Sequence, residues 1–500
     1  MRILVFHGYL LHGTGSNVYN AALAEALVRA GHEVHLLCQD RRPFDFDWID
    51  AAGDWDGGAL EVGERRPRPR ATVYRPDIGG LLPLYVADRY EGVEARPFPE
   101  LSDAEVDRYV ERNVAAVREV AARARPDVAL ANHLVMGPLV LARALDDVPY
   151  AVKVHGSALE YVVKPHPRFL PHAREGLARA RGILVGSRHT AESLWAALED
   201  PSIERRTRLG PPGVDVERFA PREPAAARAG LEALRARLAG ADVAAAGGDS
   251  FSRDAHEAAA GLAEIGDGDR VVVFVGKLIA SKGVELLLAA WPLVLASEPR
   301  ARLVIVGFGA FREGLQGLAG ALARGDLDAA RATRGENGEE LPWLAAFLER
   351  AGGGHPAGGR VTWTGRLDHD ELADLLPAAE AMAVTSTFPE AFGMVAAEAA
   401  ACGALPVVAR HSGLAEVART LARAVPDQVG PWLTFEVGPG AVEELAGHLS
   451  AWLAAPPDVR AATRDGIVAA TRERYSWDGV ARTVIAAAQG DIDGLPTPGQ

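Results

Sequence analysis

Twice in this chain a short apolar run leads into a glycine-bearing loop, a segment of helical spacing and a second apolar run. Residues 3–6 lead through Gly13-Thr-Gly15-Ser-Asn to a helix predicted over 19–30, stopped at Gly31, and then to the run 33–37. Residues 271–275 lead through Gly276-Lys277-Leu-Ile-Ala-Ser-Lys282-Gly283 to helical text over 284–296 and the run 302–306. Runs this short and apolar read as strands of a parallel sheet covered on both faces, and the β–loop–α–β order is that of a doubly wound sheet. A chain that follows this plan in each half is constrained to an α/β architecture with two Rossmann-like domains. Its 500 residues are too many for one ordinary core, which agrees.

Composition removes several function classes. Apolar residues make up 48% and charged residues 24%, both near globular averages, so the chain is neither disordered nor fibrous. A formal charge of −14 gives nucleic-acid binding no global support. The local basic cluster Arg65-Arg66-Pro-Arg68-Pro-Arg70 reads first as a solvated loop, with contact to an acidic membrane or an anionic acceptor as the minor reading. Two cysteines, Cys38 and Cys402, cannot build a disulfide framework and suit a reducing cytoplasm. The apolar run at 3–6 is too short for a signal peptide, and no run of eighteen apolar residues predicts a membrane span. A cytoplasmic location is expected, compatible with peripheral contact at the inner face of a membrane.

The richest stretch is Thr385-Ser-Thr-Phe-Pro-Glu390-Ala-Phe-Gly-Met-Val-Ala-Ala-Glu398, followed by Ala-Ala-Ala-Cys-Gly-Ala-Leu-Pro-Val-Val. It reads as a strand end (381–384), a polar turn, a helix whose first turn is Phe392-Gly393-Met394, a glycine stop and a strand over 406–409. Unpaired N–H groups and the helix dipole at such a start favour an anion such as phosphate. Glu398 would lie about two turns beyond Glu390 if the residues between were helical. Flanked by Ala and Val, it is not expected to be buried without a partner. Taken alone, Glu-x7-Glu describes a helix with two solvated carboxylates.

In its setting of strand, loop, Phe-Gly, helix and Cys-Gly, the stretch resembles the donor site of the retaining GT-B glycosyltransferases, family 4 in particular. The resemblance implies a GT-B fold, two Rossmann-like doubly wound domains facing across a cleft. It implies that Glu390 faces donor-sugar hydroxyls, that Phe392, Gly393, Met394 and Val395 offer backbone amides to sugar or diphosphate, and that Glu398 holds the ribose diol. The family's Gly-Arg-(x4)-Lys-Gly loop, which neutralises the diphosphate, matches Gly276 to Gly283 with Lys277 where Arg is usual and Lys282 in place. Lysine keeps the charge but loses the bidentate fork. Gly307-Phe-Gly309 fits the Gly-x-Gly turn beside the nucleotide, and Arg366 and Leu367 stand where the family holds the base through backbone contacts. His155, at the end of the predicted strand 150–154, matches a histidine that contacts the donor sugar, and Gly15 of the first glycine loop is a candidate donor-binding residue, since a glycine lets the loop backbone approach a ligand closely. Read from the residues alone, His155 and the lysine pair are ordinary loop and surface positions, and the resemblance is what raises them to site candidates. His133 reads as a strand-end histidine without a task.

Elsewhere the text gives organisation. Residues 42–100, rich in Pro, Gly, Asp and Arg, read as long connections or an insertion. Ser102 is a plausible cap for a helix running to 122, and Asp368-x-x-Glu371 reads as a capping box. Residues 316–359 read as a helical excursion, and Gly247-Gly-Asp-Ser-Phe-Ser-Arg as a flexible piece. The expected division is an acceptor-binding domain over 1–221, an interdomain connection over 222–268 with an inserted helical piece around 231–238, a nucleotide-sugar domain over 269–475 and a crossing helix with tail over 476–500.

The expected activity is transfer of a sugar from a UDP-, GDP- or ADP-linked donor to a sugar, lipid-linked or small-molecule acceptor. Retention of configuration follows from the resemblance. The lysines replace a metal as the diphosphate's counter-charge, because no clear acidic metal-binding motif is present, and no cofactor is expected. Competing readings are a sugar-nucleotide epimerase or hydrolase on the same scaffold and a noncatalytic sugar-nucleotide-binding module. A glycogen-synthase-type enzyme is disfavoured because His12-Gly-Thr-Gly-Ser16 stands in place of Lys-x-Gly-Gly. An NAD-dependent oxidoreductase using Asp40 is disfavoured because Val18 occupies the third glycine position of the dinucleotide fingerprint.

Overall fold

Alternate residues of the first strand point to opposite cores, as the apolar run requires. In the computed structural model, which describes residues 1–13, 15–56, 58–86, 94–241, 254–351 and 358–498, Leu4 and Phe6 pack into one hydrophobic cluster with helix Asp103–Ala124. Ile3 and Val5 pack into the other, with helix Ser16–Arg29. A strand buried on both faces belongs at the centre of a helix-covered sheet. The chain divides into two compact units, Met1–Gly213 with Tyr475–Gln500, and Val214–Arg474.

The strands of the first unit are β1 (Arg2–Phe6), β2 (Glu33–Leu37), β3 (Ala51–Asp56), β4 (Ala59–Glu64), β5 (Ala71–Arg75), β6 (Leu81–Leu84), β7 (Glu94–Pro97), β8 (Val128–Asn132), β9 (Tyr150–Val154), β10 (Gly182–Val185) and β11 (Thr207–Leu209). Nine of them form one sheet in the order β11-β10-β9-β8-β1-β2-β5-β3-β4, parallel except for the β3–β4 hairpin, while β6 and β7 make a separate parallel pair. Residues 42–100 are therefore not irregular connections: described residues in that span supply five strands. Their text conceals this because β4 is exposed along most of its length and so lacks an apolar alternation, while β6 and β7 contain Pro83 and Pro97.

Helix Asp103–Ala124 starts at Ser102 with both halves of a capping box, Ser102 accepting from the Glu105 N–H and Glu105 from the Ser102 N–H. The final helix, Trp477–Gln489, buries Trp477, Val480 and Val484 in the cluster beneath β1 and β9.

The second unit holds β12 (Arg270–Val275), β13 (Ala301–Val306), β14 (Val361–Gly365), β15 (Ala381–Val384), β16 (Leu405–Ala409) and β17 (Thr434–Phe435). All are parallel, in the order β14-β13-β12-β15-β16-β17. Sequence order runs outward on one side of β12 and then restarts at β15 on the other. This topological switch is where open α/β sheets bind ligands, beyond the carboxyl ends of the strands.

The segment 222–268, expected as an interdomain connection with an inserted helical piece, belongs to this unit and supplies it with helices Pro224–Ala239 and Ala255–Ala263. Leu231, Leu234 and Leu238 bury one face of the first, and the second approaches β14 so closely that a Cβ on Gly261 would lie 2.5 Å from the Trp363 carbonyl oxygen. The flexible piece predicted at 247–253 lies outside the described residues. Three helices, Arg312–Ala323, Leu327–Arg331 and Pro342–Ala351, fill the described part of the excursion after β13. No helix among the described residues is long and apolar enough to cross a membrane.

Candidate active site

Three loops of the second unit emerge at the switch point, after β12, β13 and β15, and they are laced together by backbone. The Leu278 N–H donates to the Phe308 carbonyl at 2.7 Å, and the Phe311 N–H to the Leu278 carbonyl at 3.0 Å. The Thr387 N–H reaches the Ser281 carbonyl at 2.9 Å, and Thr385 Oγ1 the Lys282 carbonyl at 2.9 Å. The loop carrying both lysines is thus tied to the β13 loop by its first half and to the β15 loop by its second. Gly307 is required by the approach itself, since a Cβ there would stand 2.0 Å from the Gly276 carbonyl oxygen.

Lys282 and Glu390 meet. The Lys282 Nζ ion-pairs with Glu390 Oε1, the two side chains being only 28% and 25% exposed. Ser386 Oγ donates to the same oxygen at 2.6 Å. The backbone of Glu390 is held as well: its N–H donates to Ser412 Oγ at 2.9 Å, and its carbonyl accepts the Gly413 N–H at 2.9 Å. His411 braces this arrangement, with Nε2 2.8 Å from the Ser386 carbonyl and Nδ1 3.0 Å from Ser412 Oγ. A carbonyl only accepts, so Nε2 carries the proton; in the neutral ring Nδ1 then accepts from the Ser412 hydroxyl. Burial pushes the Glu390 carboxyl up, but the Lys282 charge, the Lys282 and Ser386 hydrogen bonds and His411 outweigh it and hold it below the usual carboxylate range.

The helix after Glu390 begins later than its sequence suggests. It spans Met394–Ala401, with Gly393 at φ 103° as its cap. A Cβ on Gly393 would lie 2.4 Å from Leu414 Cδ2, so the left-handed turn is packed in place, and Phe392 lies before the helix, 6% exposed. Met394 and Val395 form its first turn, and Glu398 lies little more than one turn in rather than two. Only 3% exposed, Glu398 does have a partner: His369 Nε2 stands 2.8 Å from Oε1. His369 is the first residue of helix His369–Leu375, which the Asp368/Glu371 capping box starts. Phe219 packs against its ring at 4.8 Å between centroids. Burial opposes charging of that ring, yet the Glu398 charge and hydrogen bond prevail, and its pKa is raised.

Of the other sequence-predicted residues, Gly276 and Gly307 touch through their backbones and Lys277 follows Gly276 directly. Arg366 donates from Nη2 to Asp368 at 2.8 Å, and Leu367 is 6% exposed. In the first unit Gly15, at φ 59°, caps helix Ser16–Arg29, whose Tyr19 meets the His155 ring edge-on at 5.2 Å. His155 Nε2 stands 3.0 Å from Asn132 Oδ1, and burial first, then His133, Lys153 and His7, holds its pKa well below the ordinary histidine value. Asp40 is occupied by the loop it closes, accepting from the Leu11 N–H at 2.9 Å and from His12 Nδ1 at 2.8 Å, which takes away the acid a dinucleotide site would need.

Four residues of the site escaped the sequence reading: Ser386, His411, Ser412 and His369. Each acts on a carboxylate, or on another of the four, across the fold or from a neighbouring loop, and only His369 carried a signal, its place at the head of a predicted capping box.

Residues 14–202 match the family model described as a glycosyl transferase 4-like domain, and residues 262–327 and 346–464 match glycosyl transferases group 1. The D-inositol 3-phosphate glycosyltransferase of a Nocardioides species is 30% identical over 424 residues, 79% of this chain and 78% of that protein. The protein of the same name from Segniliparus rotundus is 30% identical over 284 residues, 57% of this chain but 47% of that protein, so the match spans about half of this relative's length. Among solved structures, sucrose-phosphate synthase from Thermosynechococcus elongatus superimposes with a TM-score of 0.59 at 20% identity, covering 96% of each chain.

Proposed function

Because the chain belongs to the group 1 glycosyl transferases and has their GT-B fold, we propose that it moves a sugar from a nucleoside-diphosphate sugar to an acceptor hydroxyl, with retention at the anomeric carbon. The observation that carries this reading is the Lys282–Glu390 pair, braced by Ser386, His411 and Ser412 at the switch point of the second sheet. When the anomeric C–O bond breaks, negative charge develops on the departing diphosphate. Lys277, Lys282 and the helix start at Met394 are the groups that stabilise it, in a partly dried site where such charges count most. The acceptor oxygen bonds to the anomeric carbon on the face the diphosphate leaves, and the acceptor proton passes to the leaving phosphate oxygen.

Glu390 orients the donor sugar and offsets positive charge at its ring; it is a positioning and electrostatic residue. Glu398, its Oε1 held by His369, turns its other oxygen to the ribose diol. The lysines supply the counter-charge that a divalent metal provides elsewhere, so turnover is expected to be unaffected by EDTA. Names of the relatives make inositol phosphates the first acceptors to assay. With donor and acceptor in hand, proton NMR of the new glycosidic bond tests retention. Glu390→Gln should lower kcat by about 10²-fold or more, the scale of losing one preorganised electrostatic group. Full kcat in that variant, or an inverted product, would sink the reading.

A further inference from the structure

The first unit contains a cavity of about 790 Å³ at the end of its sheet opposite to His155. Its wall comes from the amino ends of β1, β2 and β5, from the loop 65–70 and from the last turn of helix Asp103–Ala124. Five-residue strands separate the two edges by roughly 17 Å. A ligand here would not touch the carboxyl-end loops that the parallel-sheet rule assigns to substrate.

Charge distinguishes the wall. Arg2 is neutralised by Asp127 at 3.6 Å, while Glu33 keeps its charge, because its partner at 3.0 Å is His35, whose pKa burial holds below the ordinary histidine value. Arg68, Arg70 and Arg123 also line the cavity and have no carboxylate partner among the described residues, against two acids without a cationic partner there, Glu33 and Glu64. Three exposed arginines without a carboxylate partner line one concavity in a chain whose formal charge is −14. The loop is also stiff. Arg68 sits at φ 58°, a left-handed conformation unusual for a side-chain-bearing residue, between Pro67 and Pro69, whose rings fix their own φ. Backbone held against preference is paid for by the surrounding structure and concentrates at ligand sites.

We propose that this cavity binds a small anion of nucleotide size carrying two or more phosphate groups. Guanidinium forks match phosphate oxygens two by two, and the volume falls within the ~300–1,000 Å³ of small-molecule sites while exceeding what a single phosphate fills. The site is independent of the donor site, because it uses neither lysine nor either glutamate of the second unit.

The test is calorimetric titration of the full chain with inorganic tripolyphosphate, in the wild type, in an Arg70→Gln/Arg123→Gln double variant and in Lys282→Ala. The expected result is a binding event that the double variant weakens at least about tenfold, the scale of losing two charge-assisted contacts, and that Lys282→Ala retains. Arg68→Gln alone should weaken it less, and the thermal midpoints of all variants, measured without ligand, confirm that each is folded. A folded double variant that binds like the wild type would overturn the proposal, as would loss of all binding in Lys282→Ala. Citrate binding as tightly as tripolyphosphate would overturn the choice of phosphate. Sedimentation with phosphatidylinositol-phosphate vesicles that needs the same arginines, with no binding of free tripolyphosphate, would overturn the small ligand in favour of a membrane headgroup.

Discussion

Glu398 occupies a helix otherwise built of Ala, Val and Met, and at 3% exposure it needs a partner. The partner, His369, lies 29 residues earlier on another helix. No local pattern announces such a contact, which is why the sequence delivered the carboxylate and not the imidazole. Two outcomes follow for His369→Gln. If the pair orients Glu398 toward ribose, the variant loses affinity for a nucleoside diphosphate but not for its 2′,3′-dideoxy analogue; equal losses for both would refute that role. The pKa of His369 is raised, so its stabilisation is fully present below the unfolded value, about 6.5, and disappears as pH rises through the folded one. The wild type should therefore outlast His369→Gln by more at pH 5.5 than at pH 9. Glu285 has the opposite consequence. It is 3% exposed, with Oε2 lacking a hydrogen bond, and burial pushes its carboxyl up to about 8. A carboxyl raised on folding weakens the fold as pH climbs from its unfolded to its folded pKa, here on the order of a few kcal/mol by pH 8. Glu285→Gln should flatten the fall of the thermal midpoint between pH 5 and pH 8. A variant curve parallel to the wild type would show that Glu285 is not the titrating group.

At the scale of elements, the loops of the second unit are precise because their backbones touch. Gly307→Ala would place a methyl 2.0 Å from the Gly276 carbonyl oxygen, and backbone has no rotamer with which to yield. It should cost about 1–3 kcal/mol in denaturant unfolding and displace the lysine loop, raising the donor KM; an unchanged KM would mean that Lys277 and Lys282 do not depend on this contact. Legibility varied in the same way. Strands β1, β12 and β13 were readable because both faces are buried and the text is a near-continuous run of Val, Ile, Leu and Phe, and β2 and β15 because their short, mostly buried runs each end at a polar turn. Strand β4 was not, because its burial is one-sided at best, and the helix at Met394 was misplaced by two residues because Gly393 turns back against Leu414, a contact formed 21 residues away. Helix Pro224–Ala239 was readable only over 231–238, because its Ala-rich first half carries no apolar stripe until the leucines begin.

At the scale of the molecule, the repeated β–loop–α–β plan was enough to give two Rossmann-like units, since each half has its own switch of strand order. Which unit a segment joins was harder, being decided by tertiary contact. The last helix returns to the first unit, where the Trp477 ring lies against Gly213, leaving no room for a Cβ there, and meets Tyr19 at 5.5 Å. Trp477→Ala should cost about 3–5 kcal/mol, with hydrogen-exchange protection falling in β1, β9 and helix Ser16–Arg29 while β12–β16 keep theirs. Equal loss in both units would show that the helix is not anchored as described. The central claim is that Lys282, poised on Glu390, receives the donor's diphosphate. The direct measurement is calorimetric titration of UDP, GDP and ADP, each beside its monophosphate, into the wild type and Lys282→Ala. For whichever base binds, the wild type should prefer the diphosphate by at least about tenfold, and Lys282→Ala should bind the monophosphate as before while losing that preference. A Lys282→Ala protein that still favours the diphosphate by the wild-type ratio would contradict the account.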